Sequence, residues 1–249
     1  NIQFAIKDNE LIILEANPRA SRTMPFVAKV TGNQIIKAGT LLMLGYTIKQ
    51  IKSQTNYLKK STKKIAIKKA IFPWSRFPAE DTMLGPEMKA TGEVLGIGKD
   101  FGTALNKAYA AAGVEIGSKQ KGVFVTLSDS EKPNFVEVIK KYAELDFSIY
   151  ATEGTGRFLS KNNIDSILVG RADDESPTSL TIIDDKLISI VINTPTFANE
   201  YTDGWKIRRL SHKTGVAVVS SVREAEAFVE AFILQEKVLD DMEAIQNVS

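Results

Sequence analysis

From residue 123 onward the chain alternates short β-rich runs with amphipathic ones, and no other feature limits its fold so tightly. Strands are predicted at 123–128 ("VFVTLS"), 147–151 ("FSIYA"), 166–169 ("SILV"), 188–192 ("ISIVI") and 216–220 ("VAVVS"). Helices are predicted between most of them, at 132–145, 155–162, 178–185 and 204–213, with a last one over 222–235. Near-continuous apolar strands alternating with helices imply an α/β fold, a Rossmann-like parallel sheet with helices on both faces. In such a sheet, ligands bind outside the carboxyl ends of the strands.

The first part reads differently. Residues 2–7 and 11–16 form two strands around the turn signal Asp8-Asn9. Helices follow at 24–31 and 34–44, the second stopped by Gly45. Residues 51–70 carry seven lysines and no acid. With hardly any aromatic interleaving, they read as a solvated loop leading into a strand at "IAIKKAIF" rather than as a nucleic-acid contact. Another helix is expected at 100–112, and the Gly- and Lys-rich stretch 111–122 marks a boundary. The expected domains are therefore 1–117 and 118–249.

Composition removes several classes of chemistry. With 32 basic and 30 acidic residues, the net charge of +2 is not that of a general nucleic-acid binder. No apolar run approaches the ~20 residues that span a bilayer. The chain has no cysteine, which excludes thiolate metals and cysteine nucleophiles and suits the cytoplasm. His212 is the only histidine. It falls near a helix end, where a cation is favoured by the helix dipole, and no nucleophile-elbow sequence accompanies it. Any metal must be held mainly by oxygen, which favours magnesium or manganese.

Two clusters remain as candidate sites. In "LIILEANPRASRT", Glu15 and Asn17 are two apart on an extended segment and share a face, with Gln3 available from the preceding strand. Carboxylate and amide oxygens suit a hard cation, and Arg19 and Arg22 offer planar donors for phosphate or carboxylate. A strand end with a surface ion pair fits the same residues. In the later part, Thr152, Gly154 and Thr155 sit where a strand enters a helix, an arrangement able to hold an anion. Thr126, Lys132, Asn193 and Thr194 converge on the same sheet edge. Plain helix capping would use the same hydroxyls. In "LGPEMKATGE", Glu87 and Glu93 read as turn and packing residues rather than an acid–base pair.

Specific motifs then narrow the reading. "NIQFAIKDNELIILEANPRASRTMPFVAKVTG" and "FPAEDTMLGPEMKATGEVLGI" resemble the carboxy-terminal ATP-grasp half of carbamoyl-phosphate synthetase large chains. "YATEGTGRFL" and "VINTP" resemble the methylglyoxal-synthase-like regulatory domain of the same family. The resemblance implies a carboxy-terminal part of such a chain, with the phosphate-covering loop, adenine pocket, first synthetase half and glutaminase-contacting region outside it. It further implies that Gln3, Glu15 and Asn17 hold divalent Mg or Mn ions bridging the phosphates of ATP. Arg19 matches a nucleotide-site arginine, and Arg22 supports the phosphates or carbamate. The fragment alone is expected to be inactive.

The second domain would take a nucleotide effector such as UMP or IMP at Thr126, Lys132, Thr152, Gly154, Thr155, Arg171, Asn193 and Thr194. The glutaminase small chain is the implied partner, alongside self-association, with no nucleic acid and no membrane. Three departures stand out. "GRADDESP" puts Arg171 in place of a family lysine and adds Asp173, Asp174 and Glu175. Lys69 falls where ornithine-activated members carry a glutamate, and Ser220 replaces a threonine. Ornithine activation is therefore not expected. A methylglyoxal-synthase-type lyase and a stand-alone effector-binding or oligomerisation module are the alternatives.

Overall fold

The computed structural model describes residues 1–57, 63–74, 88, 90–114, 116, 121–194 and 202–235. The chain forms two compact units, which divide at Lys64/Ile65.

In the first unit, β1 (Ile2–Lys7) and β2 (Glu10–Ala16) pair antiparallel, with Gln3 opposite Glu15 and a register shift just after Gln3. Asp8 and Asn9 both have positive φ, 52° and 63°, the backbone of a tight two-residue hairpin turn, which Asp and Asn tolerate. Helix α1 (Thr23–Thr31) ends on Gly32 at φ 66°, and α2 (Ile35–Met43) is followed by Gly45 at φ 87°, both as expected for a left-handed stop. A further helix, α3 (Ile48–Gln54), corrects the reading of residues 51–54 as loop. Thr47 caps it: its hydroxyl accepts from the Gln50 N–H while the Gln50 side chain accepts from the Thr47 N–H, a capping box. The rest of the lysine-rich stretch falls partly on residues 58–62, outside the described part.

The second unit opens with β3 (Ile65–Ile71), paired antiparallel with β4 (Gly92–Gly98), a strand absent from the sequence reading. Helix α4 (Phe101–Ala111) lies so close to β4 that a Cβ on Gly96 would stand 2.0 Å from the Ala104 carbonyl oxygen, so only glycine fits. Asp100 caps α4 by accepting from the Thr103 N–H and hydroxyl, at 2.7 and 2.9 Å.

The expected alternation follows: β5 (Gly122–Thr126), α5 (Lys132–Glu144), β6 (Ile149–Thr152), α6 (Glu153–Lys161), β7 (Ile167–Val169), α7 (Ser179–Asp184), β8 (Ile188–Asn193), α8 (Asp203–Thr214), β9 (Ala217–Val219) and α9 (Val222–Gln235). The five strands form one parallel sheet in the order β7-β6-β5-β8-β9.

Strand alternation divides the core between the two faces. Val123, Val125, Ile190 and Ile192 pack with Leu105, Tyr109, Ile139, Tyr142, Phe228 and Phe232 from α4, α5 and α9. Phe124 and Val191, one residue out of phase, pack with Ile182, Ile183 and Ile207 from α7 and α8. The 111–122 stretch read as a boundary lies within this second compact unit, and its residues 115 and 117–120 are outside the described part.

Candidate functional site

Because β5 is central and its neighbours run parallel to it, the carboxyl ends of β5, β6, β7 and β8 open on one edge. A cavity of about 900 Å³ lies there. Every effector residue expected from the sequence lines it: Thr126, Lys132, Thr152, Gly154, Thr155, Arg171, Asn193 and Thr194. Their side chains are held there in different ways.

Lys132 starts α5 and reaches across to the first turn of α6. Its ammonium donates to the Gly154 carbonyl at 3.0 Å and to Asp129 Oδ1 at 2.5 Å, and its side chain is only 12% exposed. The hydrogen bond and charge of Lys132 hold the Asp129 carboxyl below its ordinary pKa. A mostly buried cation therefore stands beside the N-terminus of α6, which itself favours anions.

Thr155 faces inward. It is 1% exposed, and its hydroxyl accepts from the Leu127 N–H at 3.1 Å and from the Thr152 hydroxyl at 3.4 Å. Thr194 plays the same part on the other side, its hydroxyl accepting from the Ser128 N–H at 2.8 Å. Both threonines pin the chain leaving β5 to its neighbours. Asn193 is buried, and its Oδ1 accepts from Arg208 at 2.8 Å.

Arg208 is the residue the sequence reading missed. It is buried on α8 and lines the cavity beside Gly204, where an added Cβ would stand 3.0 Å from its guanidinium. A signal was present: Trp205, Arg208 and Ser211 recur at helical spacing and are all buried, so an arginine sits on an inward stripe.

In the first unit, the hairpin brings the expected metal-binding residues together. Gln3 is the cross-strand partner of Glu15, and Asn17 donates from Nδ2 to Glu15 Oε1 at 2.8 Å. One carboxylate and two amides thus share a face, a donor set that fits a hard divalent cation once the Asn17 amide turns its oxygen outward. Arg19 and Arg22 are exposed, and Arg19 donates to the Ala20 carbonyl at 3.1 Å. Among the described residues no cluster of three or more His, Cys, Asp and Glu side chains could hold a metal. Among them, too, no helix is long and apolar enough to cross a membrane.

Three other residues find definite places. Lys69 lies 3.9 Å over the Tyr109 ring, and the Tyr109 hydroxyl donates to Glu224 at 3.1 Å. Burial lowers the Lys69 pKa, with Glu224 opposing. His212 sits in the last turn of α8 as expected, but not as a dipole-stabilised cation. His212 as a whole is exposed, although its ring packs toward Trp74 with centroids 6.1 Å apart. Even so, desolvation of the imidazole, then Lys69 and Arg208, lowers its pKa to about 4, so it is neutral at pH 7. Glu93 pairs with Lys68 at 3.1 Å, in keeping with a packing role, while Glu87 lies outside the described residues.

The cavity at the strand ends, with a mostly buried lysine in it, marks an α/β module with a candidate site, joined in this chain to the β1–β2 hairpin. Both parts have counterparts among known proteins. Residues 1–51 match the family "Carbamoyl-phosphate synthase L chain, ATP binding domain", and residues 134–220 match the MGS-like domain. The "Carbamoyl phosphate synthase large chain, C-terminal section" of Aquifex aeolicus is 37% identical over 93% of this chain, and that of Methanocaldococcus jannaschii 40% identical over 93%. The carbamoyl phosphate synthase large chain of Brucella suis is 39% identical over 97% of it. The chain belongs to this family, as the carboxy-terminal section of a carbamoyl phosphate synthase large chain: the end of the ATP-binding domain followed by the MGS-like domain. It spans 45%, 38% and 21% of the length of those three relatives.

Proposed function

We propose that this section serves ATP-dependent formation of carbamoyl phosphate from bicarbonate and glutamine-derived ammonia, and that its later domain binds a regulatory nucleotide monophosphate such as UMP or IMP. The family division would place the synthetase part at 1–117 and the regulatory part at 118–249. In the complete cytoplasmic enzyme, a glutaminase small chain supplies ammonia and the large chains self-associate.

On the synthetase side, Gln3, Glu15 and Asn17 would hold Mg or Mn, which supplies charge neutralisation at the phosphates of ATP. Arg19 and Arg22 would bind the phosphoryl oxygens and orient them. The section alone is proposed not to turn over.

The regulatory reading rests above all on Lys132, a mostly buried ammonium beside the first turn of α6 in a 900 Å³ cavity. The phosphate would meet the amides of Gly154 and Thr155 and take the ammonium from Asp129. A charge-assisted contact of this kind contributes about 1.5–3 kcal/mol. The lyase reading is disfavoured, because the only histidine, His212, does not line the cavity. Calorimetric titration of the 249-residue chain with UMP and IMP tests the proposal. Binding is expected to weaken at least about tenfold in Lys132→Ala, in line with the loss of one such contact. No binding at millimolar nucleotide, or equal binding by Lys132→Ala, would refute it.

A further inference from the structure

The segment from Arg171 to Thr178, between β7 and α7, adds carboxylates to the mouth of this cavity, and it is fastened there. The Gly170 N–H donates to the Pro177 carbonyl and the Ser179 N–H to the Gly170 carbonyl, both at 3.0 Å. The Arg171 N–H donates to Asp174 Oδ2 at 2.7 Å. Asp173 is taken up by Lys206 of α8, at 2.6 and 2.7 Å. Asp174 and Glu175 line the cavity, and Asp173 does not.

The charge balance that results does not suit a plain phosphate. Among the described lining residues, Asp129, Glu153, Asp174, Glu175 and Asp203 are acidic. Lys132, Arg157, Arg171 and Arg208 are basic. Lys132 with Asp129, and Arg157 with Glu153, already neutralise each other. Three carboxylates then face two guanidiniums, and a phosphate dianion entering alone would add to the excess of negative charge. Like charges at close range disfavour binding. A second observation lies at the end of the same segment. Ser179 lines the cavity, is fully buried, and its hydroxyl has no hydrogen-bond partner among the described residues. A buried unpartnered hydroxyl is costly, and a ligand polar group would satisfy it.

We infer that the ligand of this cavity brings a positive charge together with its phosphoryl group, as a protonated amine or as a bound divalent cation, and that Glu175 and Asp174 receive that charge. This rests on the reading of the cavity as a phosphate site. The phosphoryl end lies at Lys132 and the first turn of α6. The cationic end lies toward the Arg171–Thr178 segment, with the Ser179 hydroxyl beside it.

Two pairs of probes, titrated into the full chain by calorimetry, separate the sources of charge. O-phosphoethanolamine against ethyl phosphate differs by an ammonium group. UMP with magnesium chloride against UMP with EDTA differs by a divalent cation. At least one charged probe is expected to bind five-fold or more tightly than its counterpart, and Glu175→Gln is expected to reduce that ratio below two. The pair that responds identifies amine or metal. If ethyl phosphate and metal-free UMP bind as tightly as their counterparts, the inference fails while the phosphate site stands. It fails equally if Glu175→Gln tightens all four probes alike, since the segment then only repels. If none of the four binds at millimolar concentration, the phosphate reading itself falls.

Discussion

Replacing Thr155 by valine separates a structural hydroxyl from a ligand-binding one. Valine keeps the shape and removes only the oxygen that accepts from the Leu127 N–H at 3.1 Å. Thr155 is 1% exposed, so water cannot take over. The Leu127 N–H is left buried and unpaired, at a cost of about 1–3 kcal/mol. For a unit of this size each kcal/mol lowers Tm by roughly 2–4 °C, so the melt should fall by roughly 2–12 °C. The Leu127 amide proton should exchange faster than in the parent, because its bond is the one removed. UMP affinity should change less than about tenfold, since the amides at the α6 N-terminus, the stronger donors to an anion, remain. Thr152→Val is the control: its hydroxyl is half-buried and its bonds to Thr126 and Thr155 are long, both 3.4 Å, so its melt should shift by less than about 1 kcal/mol equivalent. If Thr155→Val melts with the parent but loses UMP binding, the hydroxyl is a ligand contact and the reasoning is refuted.

Two further outcomes follow from the same packing. Above pH 6.5, the ordinary histidine pKa, His212 is neutral in both folded and unfolded chains and adds no pH dependence; as pH falls from there to about 4 the unfolded chain takes up a proton the folded one refuses, so stability drops across that window. The imidazole resonance of this sole histidine should titrate near pH 4, and Lys69→Met should raise the midpoint; a midpoint at or above 6.5 in the parent would contradict local desolvation and the Lys69 and Arg208 charges as its cause. Phe232, fully buried with its ring centroid 4.8 Å from that of Phe147, should cost about 3–5 kcal/mol when replaced by alanine, read as a lower urea midpoint; a loss under about 1 kcal/mol would mean this aromatic cluster collapses around the gap.

The parallel sheet was legible in the sequence because its strands are buried on both faces. "ISIVI" and "VFVT" are apolar throughout and bounded by turn residues, a pattern that amphipathic helices do not produce. β4, "GEVLGIG", was not legible, and the reason is steric: the glycines that make it a poor strand by composition are what let α4 lie against it. α3 was hidden for another reason. Its capping box, Thr47 with Gln50, was present in the sequence, but the lysine-rich composition just beyond it suggested a solvated loop.

At the candidate site, position was legible and function only partly so. Strand-to-helix junctions placed Lys132, Thr152, Gly154 and Thr155 at one edge, yet which hydroxyls bind each other depends on register between β5, β6 and β8. Arg208 shows what such reasoning must add. It stands next to Arg209, which lies against the Trp205 ring with its guanidinium carbon 4.9 Å from the centroid, and only helical phase separates the two. A buried guanidinium must be paired, and Asn193 at the end of β8 accepts from it at 2.8 Å. That bond ties the strand end to α8 and takes up the Asn193 carbonyl oxygen. A ligand reaching this side of the cavity therefore meets an arginine already braced by the sheet, so its recognition there depends on the fold and not on Asn193 alone.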